Sequence, residues 1–203
     1  MVVQHPLAAL ELARMRDKTA TQREFREALA KLSSYLIYEH LRADVAQPLA
    51  VNTPLGVSTA QVLDSRHLVF VGILRAGLAM VAAAMQLVPD VPVGLFGARR
   101  DETTLCPEHY YTNFPPVRGR RVIVLDPMLA TGGSMISCLD YLAAESVAGV
   151  SAVCAIAAPE GIARVHERYP DVRLTVGAVD AHLNQNGYIV PGLGDAGDRY
   201  FGT

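Results

Sequence analysis

Residues 121–134 read R-V-I-V-L-D-P-M-L-A-T-G-G-S, and the class of fold turns on them. Residues 122–125 are a short, β-branched apolar run, the pattern of a strand buried on both faces. The run stops at Asp126-Pro127, because proline has no N–H to give to a ladder. Thr131-Gly132-Gly133-Ser134 then leads into M-I-S-C-L-D-Y-L-A-A, which sets Ile136, Leu139 and Leu142 on one stripe of a helix. A strand, a glycine turn and a helix N-terminus make an anion site, since backbone N–H groups and the positive dipole end face the same point. The hydroxyls of Thr131 and Ser134 add hydrogen bonds worth about 1.5–3 kcal/mol each toward a charged oxygen. Asp126 would repel a bare phosphate, so the ligand should also offer hydroxyls or bring a cation. Taken alone, the same pattern also serves as an ordinary capped turn between strand and helix.

Working outward, residues 67–74 (H-L-V-F-V-G-I-L) form a second buried run, followed at once by Arg75-Ala76-Gly77 and the helix-like L-A-M-V-A-A-A-M-Q-L. An arginine at the carboxyl end of a parallel strand is placed for a bidentate phosphate contact, although a surface arginine beside a glycine cap has the same spelling. Residues 91–98, 150–157 and 173–179 make three more strands. Pro159 sits where a first-turn proline belongs, ahead of a helix over 160–169. Strands alternating with helices predict an α/β fold with a doubly wound, mostly parallel five-stranded sheet and flanking helices. Ligands of such sheets gather outside the carboxyl ends of the strands, so Arg75 and residues 126–134 can share one crevice.

The remaining stretches surround that sheet. A short helix is expected over 5–16, with Leu7, Leu10, Ala13 and Arg14 at helical spacing. Thr21 and Glu24 spell a capping box for a long helix to about Leu41, carrying Phe25, Leu29, Leu32 and Leu36 inward. Its role is packing or a subunit contact, with Arg23, Glu24, Arg26, Glu27 and Lys31 as a solvated face. Residues 46–53 read as irregular or as an edge strand between prolines. Residues 99–105, too charged for a core strand, together with Tyr110 and Tyr111, suggest a β-arm standing off the sheet or a solvent-exposed turn. Residues 186–203 (N-G-Y-I-V-P-G-L-G-D-A-G-D-R-Y-F-G-T) fit neither helix nor strand; apolar and glycine-patterned, they should fold over something as a C-terminal hood. A calcium loop there lacks the required spacing.

At 203 residues, one compact domain over 1–203 is expected. A hydrophobic share of 51% without Trp leaves Val, Ile, Leu and Ala to fill the core. A net charge of -2 gives no electrostatic footprint for nucleic acid or an anionic membrane. Cys106, Cys138 and Cys154 show no C-x-x-C spacing and read as buried, reduced thiols, which fits a cytoplasmic compartment. No apolar run reaches membrane-spanning length.

An acid at a strand end followed by T-G-G-S resembles the phosphoribosyl-diphosphate (PRPP) motif of phosphoribosyltransferases. Along almost the whole chain the likeness is to the uracil phosphoribosyltransferase family. It is carried by Met15-Arg16-Asp17-Lys18, I-L-R-A-G-L at 73–78, Arg100-Asp101-Glu102 through Leu105, D-P-M-L-A-T-G-G-S at 126–134, and G-Y-I-V-P-G-L-G-D-A-G-D-R at 187–199. The resemblance implies that Arg75 and Arg100 meet the diphosphate side of PRPP. It gives Asp126, Pro127, Met128, Leu129, Ala130, Thr131, Gly132, Gly133 and Ser134 the ribose and its 5′-phosphate. Ile189, Gly194, Asp195 and Ala196 would recognise uracil, with Asp195 also facing PRPP and Mg2+, which arrives with PRPP rather than in a cage of protein ligands. Where other phosphoribosyltransferases carry further acids, Pro127 and Ala130 stand here, as in the uracil branch. Thr103 stands where the uracil family usually has Glu.

The implied reaction joins N1 of uracil to C1′ of PRPP with inversion, giving UMP and diphosphate. Arg75, Asp126 and Asp195 are its candidate catalytic residues: Asp126 faces positive charge growing on the ribose ring, and Arg75 faces the leaving group. Asp195 and solvent are the rival candidates for a general base. A glycine-rich tail can meet the acceptor–donor–acceptor edge of uracil with main-chain groups, whereas cytosine would set donor against donor. The resemblance also implies a homodimer or larger homo-oligomer, with the arm and N-terminal helix as contacts, and admits GTP as an effector. A phosphoribosyltransferase for another base, a pyrimidine-responsive RNA-binding regulator on the same fold, and a paralogue that binds without turnover are the alternatives.

Overall fold

The computed structural model describes residues 1–42, 44, 46–100 and 107–203, with the side chains of 99, 100 and 107 outside the description. In chain order the elements are α1 (Pro6–Arg16), α2 (Gln22–Leu41), β1 (Ala46–Thr53), β2 (Gly56–Leu63), β3 (Leu68–Leu74), α3 (Gly77–Leu87), β4 (Val93–Arg100), β5 (Pro107–Asn113), β6 (Arg121–Leu125), β7 (Met128–Leu129), α4 (Gly133–Ala144), β8 (Gly149–Ala157), α5 (Pro159–Arg168), β9 (Arg173–Val179), β10 (His182–Leu183), β11 (Ile189–Val190) and α6 (Ala196–Phe201).

Among the described residues the main sheet has seven strands, not five. The five long parallel strands β4, β3, β6, β8 and β9 are those read from the sequence. The sixth is β5, which returns antiparallel along β4 with a register shift at Gly97/Ala98, so this limb of the expected arm is an edge of the sheet. The seventh is β7. Pro127 interrupts the strand rather than ending it: β6 pairs with β8 as far as Leu125, and β7 resumes on the same strand at Met128. The Pro127 carbonyl still accepts from the Ile156 N–H at 3.0 Å, and only the donor that proline lacks is missing.

Helices cover both faces. Leu68, Phe70, Ile123, Leu125, Val153 and Ala155 meet α1, α2 and α3 on one side. Alternate residues Val69, Val71, Val122, Val124, Ala152 and Cys154 meet α4 and α5 on the other, the period-2 consequence of a strand buried twice. The capping box at Thr21 and Glu24 is formed as read, and Phe25, Leu29, Leu32 and Leu36 are fully buried. A polar clamp adds to that packing: buried His40 bridges Ser151 and Thr175 at 2.8 Å each, tying the end of α2 to β8 and β9. Desolvation first, then the nearby Arg173 charge, pushes the His40 pKa down to about 3, so it packs as a neutral ring.

Three local readings change. In α1 the inward face is Ala8, Glu11, Leu12 and Met15, while Leu7 and Leu10 face outward. In α4 the buried face is Met135, Cys138, Leu139 and Leu142, leaving Ile136 at its edge. Residues 46–63 are a free-standing antiparallel hairpin, β1 with β2, exposed along nearly its whole length, with Leu55 100% accessible. Cys138 and Cys154 are free and buried, and burial raises both thiol pKa values; Cys106 and Thr103 lie outside the described residues. Among those residues no helix is long and apolar enough to cross a membrane.

Candidate active site

The carboxyl ends of β3 and β6 open into a cleft of about 1180 Å³. That is larger than a pocket for one small ligand usually is. Two strand-to-helix turns form its floor. The first, Arg75-Ala76, follows β3 after a cis Leu74–Arg75 peptide and enters α3 at Gly77. A Cβ at Gly77 would lie 2.6 Å from the Leu125 carbonyl oxygen, so only glycine lets the start of α3 press against the end of β6. That contact brings Arg75 and Asp126 to one cleft.

The second turn is residues 126–134. Asp126, Met128, Ala130 and Ser134 line the cleft. The side chains of Pro127 and Leu129 are buried behind it, and Gly132 and Gly133 are buried at the start of α4. Gly132, at φ +78°, caps α4 and starts the helix whose first-turn N–H groups border Ser134. Gly161 of α5 supports the loop from below, for a Cβ there would stand 2.2 Å from the Ala130 oxygen. The Asp126 N–H donates to the Val153 carbonyl at 3.2 Å, and its Oδ1 accepts from the Met128 N–H at 3.3 Å. Desolvation outweighs that bond, and with the negative charge of Asp195 it pushes the Asp126 pKa up from 3.8 to about 7.

The C-terminal stretch supplies the roof, and it has more structure than a loop. A two-residue ladder between β10 and β11 closes the turn at 184–188, and α6 follows, capped by Asp195, whose Oδ1 accepts from the Asp198 N–H at 2.9 Å. Gln185 to Ile189, Gly194, Asp195 and Gly197 line the cleft opposite Arg75. Ala196 does not line it: its side chain is fully buried against the core with Leu193. Arg75 donates to Asp198 at 3.2 Å, an exposed pair with side chains 55% and 51% accessible, and lies over the Phe201 ring. Arg100 ends β4, and its side chain is outside the described residues.

Of the expected site residues, then, Arg75, Asp126, Met128, Ala130, Ser134, Ile189, Gly194 and Asp195 surround one cavity. Tyr110, from β5, and Tyr188 were not read as part of it, although both line the wall. Tyr110 faces the cleft because β5 lies along the edge of the sheet beside β4, where the sequence reading had the arm standing off it.

The uracil phosphoribosyltransferase family model matches residues 2–203. A uracil phosphoribosyltransferase from Dictyoglomus thermophilum is 47% identical over 204 residues, covering 100% of this chain and 99% of the relative. One from Thermus thermophilus is 43% identical over 203 residues, covering 100% and 98%. A solved structure of a protein from Aquifex aeolicus matches at TM-score 0.95 and 40% identity, covering 99% of this chain and 97% of its own. The adenine phosphoribosyltransferase of Leishmania donovani, at TM-score 0.60 and 18% identity over 90% and 84% of the two chains, shares the fold. With a model match spanning the chain and full-length relatives above 40% identity, this chain belongs to the uracil phosphoribosyltransferase family.

Proposed function

We propose that the chain transfers the 5-phosphoribosyl group of PRPP to N1 of uracil, giving UMP and diphosphate, the salvage of a free pyrimidine. The observation that carries this reading is the convergence of a cation, a phosphate turn, a raised carboxyl and a glycine-rich roof on one cleft. Residues 131–134 take the 5′-phosphate with hydroxyls and main-chain N–H groups at the start of α4. Arg75 exchanges its exposed partner Asp198 for diphosphate oxygens, a charge-assisted contact that strengthens as the leaving group departs. Arg100 is proposed for the same side.

Asp126 meets the ribose hydroxyls. As the bond from C1′ to diphosphate breaks, positive charge grows on the ring and favours the ionised carboxylate. With a pKa near 7 in the free cleft, that carboxylate is only partly ionised at neutral pH, so the charge it stabilises and its own ionisation are coupled. The roof then reads the base. Main-chain groups around Ile189 and at 194–196 face uracil's acceptor–donor–acceptor edge; Ala196 contributes through its peptide alone, since its methyl is buried. Cytosine's amino group would leave two donors facing each other, a mismatch a buried site rejects.

Mg2+ fits this donor set as a companion of the substrate. Asp126 and Asp195 are two carboxylates on one cleft, and among the described residues no group of three or more His, Cys, Asp or Glu is placed to hold a metal. Two acids plus diphosphate oxygens and waters suit a hard cation reluctant to dehydrate. It would supply charge neutralisation at the diphosphate. The exposed hairpin of β1 and β2, with Val57 74% accessible, and outward Leu7 and Leu10 are the proposed contacts of a homodimer or larger assembly, which sedimentation tests.

Mixing uracil, PRPP and Mg2+ with the protein and following UMP and diphosphate tests the function, with cytosine, orotate and adenine as competing bases and GTP added as an effector. UMP formation with rejection of the other bases is expected. No UMP from folded protein, or retention of RNA in its place, overturns it.

A further inference from the structure

The stretch Met15-Arg16-Asp17-Lys18 stands outside the wall of the cleft, yet it is bonded to the roof at several points. Arg16, the last residue of α1, donates to both carboxylate oxygens of Asp180 at 2.7 and 2.5 Å. The pair is largely withdrawn from water, with side chains 25% and 5% accessible. Arg16 Nη1 also donates to the Gly192 carbonyl at 2.8 Å, while Asp180 Oδ2 accepts from the Gly192 N–H at 2.9 Å. One ion pair therefore holds both polar groups of Gly192.

Gly192 is the hinge of the roof. Its φ is +63°, and a Cβ would fall 2.1 Å from the Ile189 oxygen, so the chain turns back tightly there. Ile189 lies on one side of that turn, Gly194 and Asp195 on the other, and all three line the cleft. The next peptide is tied to the same place: Arg199 Nη1 donates to Leu193 O at 2.9 Å, Nη2 donates to Asp17 O at 2.7 Å, and the guanidinium sits 4.5 Å over the Phe25 ring.

We infer that Arg16 is a positioning residue for base recognition: acting through Asp180 and Gly192, it sets the spacing of Ile189 against Gly194 and Asp195 and touches no substrate. The inference rests on the proposed reaction for its kinetic readout. The planar guanidinium fork fixes orientation as well as charge, which an ammonium cannot reproduce. Residues 126–134 are anchored by main-chain bonds to β8 and the residue after it, through Asp126 to Val153, Pro127 to Ile156 and Leu129 to Ala158, none of which involves Arg16 or Gly192. Disturbing Arg16 should thus move one substrate's site and spare the other.

The test uses the full chain as wild type, Arg16→Lys, Arg16→Gln and Asp180→Asn, varying uracil at saturating PRPP and PRPP at saturating uracil. A KM for uracil raised about tenfold or more, with the KM for PRPP within about threefold of wild type, is expected for Arg16→Gln, with Arg16→Lys intermediate. Discrimination against cytosine should narrow in the same order. Equal changes in both KM values, or an unchanged uracil KM in a folded variant, overturn the inference. If Arg16→Gln does not accumulate folded, Arg16→Lys and Asp180→Asn carry the same comparison. Amide exchange supplies a readout that does not need the reaction: faster exchange at 189–195 with 126–134 unchanged supports the inference, and unchanged exchange at 189–195 overturns it. A wild type that makes no UMP defeats the proposed reaction, and the exchange result still decides the positioning.

Discussion

Residues 126–134 and residues 180–199 reach the same cleft by opposite means. The first is a short connection between β6 and α4, pinned along β8 by main-chain bonds, with Asp126 aimed into the cleft where Pro127 breaks the ladder. The second is held by side-chain bonds to residues far away in sequence, from Arg16 to Asp180 and from its own Arg199 to the Met15 carbonyl, across gaps of 164 and 184 residues. A turn set by its own strand and helix keeps its geometry as long as the sheet exists. A roof set by distant ion pairs can be loosened without unfolding the molecule. On the proposed reaction the difference amounts to a division of labour, with a rigid turn for the sugar phosphate and an adjustable roof for the base.

The largest effect should come from Asp126→Asn. Loss of the carboxylate proposed to meet the ribose should lower kcat by about 10²–10³-fold, measured as UMP formed at saturating substrates. The same variant should melt at a higher temperature than wild type at pH 8. The folded protein holds a proton on Asp126 up to about pH 7, whereas the unfolded chain releases it near 3.8. Stability is therefore present in full below 3.8 and lost as pH rises through 7, at about 1.4 kcal/mol per pH unit between them. Asparagine escapes that loss, so the gap in melting temperature should widen between pH 4 and 7 and then level. A gap independent of pH would remove the raised carboxyl from the account.

Next in size is a paired substitution that tests the comparison directly. Gly161→Ala forces a Cβ to 2.2 Å from the Ala130 oxygen beneath the phosphate turn, and Gly192→Ala forces one to 2.1 Å from the Ile189 oxygen in the roof. Each should lower kcat/KM by about 10–100-fold, the first through PRPP and the second through uracil. If both act on the same substrate, the two regions are not separable. A smaller effect is expected in the pH profile: kcat/KM for PRPP should fall on the acid side with an apparent pKa near 7, as Asp126 takes its proton, and Asp126→Asn should lack that limb. The smallest is Thr21→Ala, which removes half of the capping box of α2, at a residue that does not line the cleft. It should cost about 1 kcal/mol in denaturant unfolding and leave both KM values alone.

Most of the scaffold was legible because its signals are local. Five apolar runs became the five long parallel strands, since a strand buried on both faces must be apolar throughout. Thr21 with Glu24, and Pro159 at the start of α5, mark helix ends through their own backbone chemistry. The hairpin of β1 and β2 was obscure for the converse reason: exposed nearly throughout, it has no inward face to impose a period. Helix α6 was missed because six residues containing glycine carry no stripe, and the Asp195 cap and the bonds of its own Arg199 to Leu193 and Asp17 hold it. The outward turn of Leu7 and Leu10 shows the same limit, as spacing locates a helix but not which side meets the sheet.

The order of strands and helices, the Asp126 to Ser134 turn and the glycine character of the roof follow from the chain's own spelling, because each depends on neighbours a few residues away. The meeting of Arg75 with Asp126 across the foot of α3, the rise of the Asp126 pKa beside Asp195, and the hold of Arg16 on Gly192 were decided only by tertiary structure. Desolvation and ion-pair geometry are properties of groups brought together in space, and no linear pattern encodes the distance between them.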